Sequence, residues 1–456
     1  MMPDWPARAI WWQVYPFGFL GAEPTALPAD ADVRHRLRSL EPWLDYLIEL
    51  GCNGLALNPI FASETHGYDV TDYLRIDPRL GDDDDVDWLV DACHRRGIRV
   101  LFDGVFNHVG RSFPAFLDVL ANREKSPFAS WFHIDWDGEG PDGFGYRNFE
   151  GHDALVVLNH QCPQVIDLVE NALGHWLDRG VDGWRLDAAY AVPLEFWHTV
   201  LPRARKSHPD SWFVGEVIHG DYPDWVHQGA LDSVTQYELW KSIWSSLNDL
   251  NFHELAWNLK RHNTFCDDFN PLTFVGNHDV TRIASGLDDV ALLGHALVVL
   301  FTVPGIPSVY YGDEQAFRGV KEEREGGDDE VRPDFPARPE DLDQAGRPTY
   351  RLHQSLIGMR RRLPWLGTAR TEAIEVTNDQ FAYEVRGAAG ERIQVLLNAA
   401  DEDYRFELEG AAEVLVASDD ASGPDHAVGP RGWAILQPAG SRSVSSGRSR
   451  SVDGSI

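Results

Sequence analysis

Residues Arg99–His108 read RVLFDGVFNH, a short apolar run that ends in a carboxylic acid and is followed by Asn107 and His108. Its length is that of one strand, and its valine, leucine and phenylalanine suit a strand that is buried on both faces. Seven further runs share this form, and the full set is Ala9–Tyr15, Gly54–Pro59, Arg99–Val105, Gly183–Ala188, Trp212–Val217, Ser233–Tyr237, Leu272–Gly276 and Ser308–Tyr311. Such buried runs are typical of a parallel sheet.

Amphipathic helical patterns lie between several of these runs. In Leu40–Leu50 one helical face carries apolar side chains, namely Leu40, Trp43, Leu44, Leu47 and Ile48. Val86–Arg96 and Val165–Arg179 behave similarly. Eight buried strands that alternate with helices predict an α/β fold, a (β/α)8 TIM barrel with insertions, over residues 1–108 and 162–368.

Two other regions depart from the strand–helix alternation. Val109–Gln161 is rich in Gly, Asp, Phe and Trp and has little helical period, which predicts an inserted subdomain at 109–161. Residues 369–440 contain short runs broken by Gly, Asp and Asn, which favours a C-terminal antiparallel β-sandwich. The Ser/Arg-rich tail, 441–456, is expected to be disordered.

The charge of the chain restricts its partners. The sequence has 40 Lys+Arg against 72 Asp+Glu, a formal net charge of −32. This charge argues against binding to nucleic acid or to an anionic membrane surface. The four cysteines are too sparse for a disulfide framework, no apolar run is long enough to span a membrane, and Met1–Ile10 lacks the pattern of a signal peptide. We therefore expect a cytoplasmic protein.

Polar side chains collect where four of the predicted strands end. The carboxyl ends of barrel strands share one rim, where active sites form. The third, fourth, fifth and seventh strands bring to this rim Asp103, Asn107, His108, Arg185, Asp187, Glu216, Asn277, His278 and Asp279. Several carboxylates beside an arginine and histidines are costly to hold together, so this clustering favours a functional site.

The same stretches resemble the signature regions of the α-amylase family, glycoside hydrolase family 13. The matching segments, in the family's order, are DGVFNH (103–108), GWRLDA (183–188), VGEV (214–217) and VGNHD (275–279). HGYD (66–69) and GIPSVYYGDE (305–314) resemble further family segments, and the resemblance covers the chain from about Ile10 to Leu366 as a barrel, plus the sandwich.

The resemblance implies a role for each of three carboxyl groups. Asp187 would be the nucleophile, and Glu216 would be the general acid and later the general base, as a retaining glycosidase requires. Asp279 would hold sugar hydroxyls while the ring distorts. Arg185 lies two residues before Asp187 on the same strand face, where its charge would keep Asp187 ionised.

The resemblance also implies substrate contacts. His108 and His278 would hydrogen-bond the sugar, and Tyr68 would stack beneath it. Asp69 follows Tyr68 in the HGYD segment and is a further candidate contact. For His66 and Asn277, contact with sugar and packing both stay open.

Other residues have a supporting or open role. Asp103 is expected to be a structural hydrogen-bond partner near the site, beside Asn107. Three tryptophans are candidate platforms for sugar rings, namely Trp131, Trp136 and Trp225.

Departures from the family pattern bear on calcium. Tyr190 and Ala191 stand where the family often has Lys and His, and Val157 stands where it often has Asp. The His and the Asp often take part in calcium binding in the family, and Asn107 alone is a poor site for an ion that takes six to eight oxygens. We therefore expect no tightly bound metal and no cofactor.

Two segments and one residue point to a subgroup. Lys125–Ile134 and Asp182–Trp197 look most like neopullulanases and cyclomaltodextrinases, and Ala188 after the nucleophile goes with α-1,4 bonds in related enzymes. Members of that group usually carry an N-terminal β-domain that helps them dimerise. This chain starts almost at its first strand, so that domain is not expected; a homodimer and a monomer both stay open.

The leading hypothesis is a retaining hydrolase of α-1,4-glucosidic bonds. Its substrates would be neutral oligosaccharides, short or cyclic maltooligosaccharides such as cyclodextrins or cyclic maltosyl-maltose, cut toward maltose and glucose. The alternative is an α-glucan transglycosylase, either a glucanotransferase or a trehalose-forming enzyme, which shares the covalent intermediate. A non-catalytic sugar-binding subunit is disfavoured because all three carboxylates are present.

Overall fold

The structure is a computed structural model that describes residues 5–324, 326–408, 410–418 and 426–441. The tail predicted to be disordered lies outside the described residues, apart from Ser441.

Eight parallel strands form the central sheet, and each lies largely within one of the eight predicted runs. They are Trp11–Val14, Gly54–Leu57, Arg99–Gly104, Gly183–Leu186, Trp212–Gly215, Ser233–Val234, Leu272–Thr273 and Ile306–Tyr310. Consecutive strands pair with each other except the sixth and seventh, and the first also pairs with the eighth at Trp11–Ser308. A parallel bridge from Thr235 to Leu272 joins the sixth strand to the seventh and closes the barrel. The predicted (β/α)8 fold is confirmed.

Helices surround this barrel. Those of eight or more residues in the barrel are Glu41–Leu50, Asp83–Arg95, Pro163–Asp178, Leu194–Ser207, Tyr237–Asn248, Phe252–Phe265, Leu293–Thr302 and Arg347–Arg362. The short ones are Pro16–Phe19, Tyr222–His227 and Ile283–Gly286. Asp83–Arg95 begins after a reciprocal cap in which the Asp82 side chain accepts from the Asp85 amide. Within the described residues, no helix is long and apolar enough to cross a membrane.

One prediction about a helical face was wrong. Ile48 was placed on the buried face of the second helix, but it is 40% exposed. The buried arc is instead completed by Tyr46 and Leu50. The buried arc is centred on Trp43 and Leu47, and Leu44 lies at its edge. Successive residues are about 100° apart, so Ile48, four residues after Leu44, lies about 40° beyond that edge.

The segment between the third and fourth barrel strands forms small structures of its own. One is a three-stranded antiparallel sheet of His108–Gly110, His152–Val157 and Asn148–Phe149, and another is the ladder of Ile134–Asp135 with Gly145–Tyr146. The helix Pro114–Asn122 also lies here, although the sequence shows little helical period. The limits 109–161 for this subdomain stay a prediction.

A second small ladder follows the second barrel strand. Phe61–Ser63 pairs there with Val70–Ile76 in antiparallel fashion. This pairing carries Tyr68 and its neighbours to the rim of the barrel.

The C-terminal region is the predicted antiparallel two-layer structure. Its main sheet runs, in spatial order, Arg370–Val376, Gln380–Arg386, Arg392–Asn398, Trp433–Pro438 and Ala412–Ala417. One face of this sheet joins the barrel core, where Phe381 lies 5.8 Å from Phe252 between ring centres. The other face is covered by the short ladder of Tyr404–Arg405 and Ala427–Val428.

Candidate active site

The guanidinium of Arg185 is the centre of the polar cluster at the barrel rim. Arg185 lies on the fourth strand and is only 8% exposed. Its Nη1 donates to the Asp103 carboxylate at 2.8 and 2.9 Å and to Asp187 Oδ1 at 2.8 Å. Its Nη2 lies 2.8 Å from Glu216 Oε1. We call Asp103, Arg185, Asp187 and Glu216 the Arg185 cluster. The strand ends that were predicted to share a rim thus bring these four side chains into contact.

The Arg185 cluster has more acids than cations. Burial raises the pKa of the Asp187 carboxyl well above its ordinary value, and Arg185 opposes this rise without cancelling it. Burial likewise raises the pKa of Asp103. Because three carboxyl groups share one guanidinium, the cluster favours retaining a proton, and that proton belongs to the coupled group as a whole.

Glu216 is held in place by three donors. Besides Arg185, Tyr237 Oη donates to Glu216 Oε1 at 3.1 Å and the backbone amide of Ala188 donates to Oε2 at 2.9 Å. Ala188 takes up a left-handed backbone conformation with φ of 42°, which costs a non-glycine residue about 1–2 kcal/mol. That conformation directs the Ala188 amide, which follows Asp187, toward the Glu216 carboxyl. The strained backbone therefore fixes the orientation of Glu216 relative to Asp187.

Tyr237 is a site residue that the sequence did not reveal. It ends the apolar run of the sixth strand and looks like core. In the structure the Asn277 amide donates to Tyr237 Oη at 2.9 Å, so Asn277 supports the neighbour of Glu216. Of the two possibilities left open for Asn277, this position fits packing behind the site.

Asp279 lies between positively charged and donor groups. His278 Nε2 is 2.9 Å from one carboxylate oxygen of Asp279, and Arg332 Nη2 is 2.9 Å from the other. Burial alone would raise the pKa of Asp279, but His278, Arg332 and Arg185 outweigh burial and hold that pKa well below its ordinary value. Asp279 is therefore ionised. Arg332 belongs to the loop after the eighth strand, and its position in the sequence gave no signal of this contact.

A buried network supports the cluster from below. Tyr68 Oη pairs with His278 Nε2 and donates to Asp103 Oδ2 at 3.2 Å. The Asn58 amide donates to the same Asp103 oxygen at 2.9 Å. The Tyr68 and His278 rings are parallel, with centres 5.5 Å apart. Burial lowers the pKa of His278, and the neighbouring Asp279 carboxylate opposes this shift.

His108 lines the cleft and has one buried ring nitrogen without a hydrogen bond in the described residues. Its Nδ1 lies 3.1 Å from the Asn107 amide nitrogen, and its ring stacks on Phe149 with centres 4.7 Å apart. No side chain or backbone group in the described part of the chain bonds to Nε2. Burial lowers the pKa of His108 to about 3, so the ring is neutral and can give or take a hydrogen bond with a ligand hydroxyl.

These residues open onto a cleft of about 450 Å³. Six predicted site residues line it, namely His66, Tyr68, His108, Asp187, Glu216 and Asp279. Asp69 is not among the lining residues, and both its carboxylate oxygens bond to Thr65 at 2.6 and 3.1 Å. The candidate platforms Trp131, Trp136 and Trp225 are likewise absent from the described lining, whereas Trp240 is present.

Two separate parts of the chain complete the lining of the cleft. Phe149, Glu150 and Leu155 come from the segment after the third strand. Tyr190, which replaces the lysine usual in the family, donates its hydroxyl to Glu150 Oε1 at 2.9 Å. The backbone amide of Tyr190 donates to the Glu216 carbonyl at 3.2 Å. A direct chain of contacts thus links the inserted segment to Glu216.

The residues at the expected calcium position do not fit that ion. Asn107 is the one oxygen-bearing side chain of the two, because Val157, which is 4% exposed, offers only an apolar side chain, and calcium takes six to eight oxygens. Elsewhere in the described chain His35, Asp82 and Asp85 lie close enough to share an ion. Arg38 Nε already donates to Asp85 Oδ1 at 2.5 Å, however, so a cation there would meet a guanidinium.

The comparisons with known proteins agree with this geometry. The catalytic-domain model of the alpha-amylase family matches residues 13–382. A cyclomaltodextrinase of a Bacillus species is 34% identical over 70% of this chain and 61% of its own length. Neopullulanase 2 of Thermoactinomyces vulgaris is 31% identical over 87% of this chain and 70% of its own. The chain therefore spans about six to seven tenths of these two relatives.

A solved structure covers nearly the whole of both chains. It is the cyclic alpha-maltosyl-(1→6)-maltose hydrolase of Arthrobacter globiformis in complex with cyclic alpha-maltosyl-(1→6)-maltose. The two chains are 27% identical and superpose with a TM-score of 0.79. The superposition covers 95% of this chain and 99% of the hydrolase.

Proposed function

The chain belongs to the α-amylase family, and from that premise we propose that it is a retaining α-glycoside hydrolase. Its substrates would be short or cyclic maltooligosaccharides, cut at α-1,4 bonds toward maltose and glucose. The observation that carries the proposal is the contact of Asp187 and Glu216 with one guanidinium, at the floor of a cleft that is partly walled by aromatic rings.

The proposed first step breaks the glycosidic bond. An Asp187 oxygen attacks the anomeric carbon while Glu216 gives its proton to the leaving oxygen. Glu216 is already fixed for this transfer by Tyr237 and by the Ala188 amide. In the second step Glu216 takes a proton from water, and the resulting hydroxyl group replaces Asp187 on the sugar. Two inversions leave the product in the α-configuration.

Three other groups would hold the sugar while its ring flattens. Asp279 is ionised and can accept from sugar hydroxyls, and His108 Nε2 has no competing partner in the described chain. Tyr68 lines the cleft with its ring parallel to that of His278, an arrangement that suits stacking against the apolar face of a sugar.

The substrate class is supported by chemistry and by the relatives. The acidic cleft and the net charge of −32 both disfavour an anionic substrate and leave a neutral one unaffected. The names of the relatives describe hydrolysis of cyclic dextrins or of cyclic maltosyl-maltose. The Tyr190 amide bonds to the Glu216 carbonyl and its hydroxyl bonds to Glu150, so Tyr190 and Glu150 would meet the sugar on the leaving side.

The test is a product profile. Linear maltooligosaccharides, cyclodextrins and cyclic maltosyl-maltose are incubated with the protein, and the anomeric form of new reducing ends is followed by proton NMR. We expect maltose and glucose with initial α-configuration. Initial β-products, or no cleavage of any α-glucoside, would refute the proposal; Glu216→Gln should be inactive on the same panel.

Three further points belong to this proposal. A cytoplasmic location is supported by the four cysteines, all of which are free thiols. The absence of tightly bound calcium is supported by Val157, whose apolar side chain offers no ligand beside Asn107. The choice between monomer and homodimer is decided by sedimentation of the full chain.

A further inference from the structure

We propose that a groove on two neighbouring helices extends the cleft and binds additional glucosyl units of the substrate. The groove lies between the helices Tyr237–Asn248 and Phe252–Phe265 and has a volume of about 560 Å³. We call it the helix groove. The inference rests on the proposed function, because a groove that continues the cleft takes the same kind of ligand.

The helix groove is continuous with the cleft. Three residues, Ile218, Tyr237 and Trp240, line both spaces. Tyr237 is the residue whose hydroxyl donates to Glu216, and Ile218 follows Glu216 by two positions and is 40% exposed. A chain of sugars that leaves the cleft past the general acid therefore passes directly into the groove.

An exposed tryptophan marks the far side of the helix groove. Trp257 is 63% exposed, more than any other large apolar side chain in the described part of the protein. Its helix buries Leu255 and Leu259 on the opposite side, so the fold has no packing use for Trp257. A flat indole ring beside polar groups is a surface that suits a sugar face.

The charged side chains of the helix groove neutralise one another. Lys241 Nζ lies 2.6 Å from Glu254 Oε1, and Arg261 Nη2 donates to Glu238 Oε1 at 3.0 Å. Both ion pairs join one helix to the other. A groove with paired charges attracts neither anions nor cations, in contrast to the acidic surface of the rest of the chain, and suits an uncharged ligand.

An unpaired polar atom also points to a ligand. Asn258 lines the helix groove, is only 4% exposed, and its Oδ1 has no hydrogen-bond partner in the described part of the chain. Buried polar atoms rarely remain unpaired because this costs about 1–3 kcal/mol. His108 Nε2 in the cleft is in the same situation. A sugar hydroxyl that donates to Asn258 Oδ1 would satisfy it.

The occupant we infer is the part of an α-glucan on the leaving side of the bond that is cut. The ring of a cyclic substrate, or the end of a linear one, would lie across Trp240 and Trp257. A second copy of this chain is the competing occupant, since an exposed tryptophan could also lie in a dimer interface.

The test compares substrates of two lengths in Trp257→Ala. We expect kcat/KM for maltoheptaose to fall about threefold to tenfold and kcat/KM for maltotriose to change less than twofold, because only the longer sugar reaches the ring. Trp257→Phe should retain most of the wild-type kcat/KM for maltoheptaose, because phenylalanine keeps an aromatic ring at this position. Leu117→Ala, at a residue 48% exposed on another helix, is the control and should change neither value.

Calorimetry in a Glu216→Gln background separates this inference from the proposed function. In that background, a loss of affinity for maltoheptaose of about threefold to tenfold on adding Trp257→Ala supports sugar binding in the helix groove. This result would hold even if the unmodified protein cleaves no glucan. Equal losses for both sugars, or no loss, would overturn it. Conversion of a dimer into a monomer by Trp257→Ala, without dependence on sugar length, would assign the surface to a second copy instead.

Discussion

Two groups of buried acids lie at the ends of strands in the same barrel, and they differ in how they are balanced. The Arg185 cluster places three carboxyl groups around one guanidinium and opens onto the cleft. The second group, Asp313 and Glu314, follows the eighth strand and is 2% and 0% exposed. We call it the Asp313–Glu314 pair.

The Asp313–Glu314 pair is bonded within the protein, except that Asp313 Oδ2 has no hydrogen-bond partner in the described residues. Arg282 Nη1 donates to Asp313 Oδ1 at 2.8 Å, and Tyr46 Oη and the Gly312 amide each donate to Glu314 at 2.9 Å. Gly276 leaves room for it, since a Cβ there would lie 2.1 Å from Asp313 Oδ2. Burial raises the pKa of Asp313 to about 6 and that of Glu314 to about 7.

The difference shows that burial of an acid at a barrel rim does not by itself mark chemistry. Both groups carry carboxyl groups whose pKa is raised by burial. Only the Arg185 cluster combines this with open space beside it, since Asp187 and Glu216 line the cleft. We therefore expect substitutions in the Arg185 cluster to change activity and substitutions in the pair to change stability.

The largest expected effect is that of Asp187→Asn. Loss of the nucleophile should lower kcat/KM by at least about 10⁴-fold. The unfolding temperature should stay the same or rise, because one member of a crowded group of acids is neutralised without a change of shape. Activity assays and thermal unfolding check both parts. A large loss of stability would show that the Arg185 cluster is structural like the pair.

The next effect concerns stability and its dependence on pH. Glu314 has a pKa raised from 4.5 to about 7, so its contribution to stability is complete below pH 4.5 and is lost as the pH rises through 7. Glu314→Gln removes this loss. The unfolding free energy of the variant minus that of the wild type should therefore increase by about 3 kcal/mol from pH 4.5 to pH 8.

Urea unfolding of both proteins at several pH values tests this expectation. The dependence on pH decides the test, because the new amide also changes the contacts with Gly312 and Tyr46. Parallel pH profiles for the two proteins would contradict it. The kcat/KM of the variant should stay close to that of the wild type, since Glu314 does not line the cleft.

The sequence predicted the parts of this comparison that depend on local pattern. Strand ends of a parallel barrel must share a rim, so the contact of Arg185 with Asp187 and Glu216 follows from spacing once the fold is known. The eight strands were predictable because buried strands are short apolar runs. Ile48 shows the limit, since a helical face was extended one position too far.

Residues supplied by loops and by apolar runs could not be predicted in this way. Tyr237 looks like core in the sequence, and Arg332 lies in a loop whose path depends on the whole fold. Asp69 shows the converse, because its motif suggests a sugar contact while its carboxylate is occupied by Thr65. Trp257 and Asn258 belong to an ordinary amphipathic helix, and only exposure and missing partners distinguish them.

A smaller effect is expected where the cleft meets the inserted segment. Tyr190→Phe removes the hydrogen bond to Glu150, which lies 2.9 Å away, and should lower kcat/KM on a short maltooligosaccharide by about twofold to tenfold. Tyr350→Phe is the matched control, because the Tyr350 hydroxyl has no partner in the described residues and lies outside the cleft lining. Equal effects of the two substitutions on kcat/KM would contradict a role of Tyr190 in contacting the sugar on the leaving side.

The smallest effect is expected from removal of metal ions. A guanidinium group lies among the acids of each region, Arg185 in one and Arg282 in the other, and at the expected calcium position Val157 offers only an apolar side chain beside Asn107. Dialysis against a chelator should therefore leave kcat/KM unchanged and shift the unfolding temperature by less than about 1 °C. A calcium site filled at 100 times its Kd would contribute about 2.7 kcal/mol, a difference that unfolding experiments resolve easily. A loss of stability or activity that calcium restores would mean that an ion, and not arginine, balances the acids at the rim.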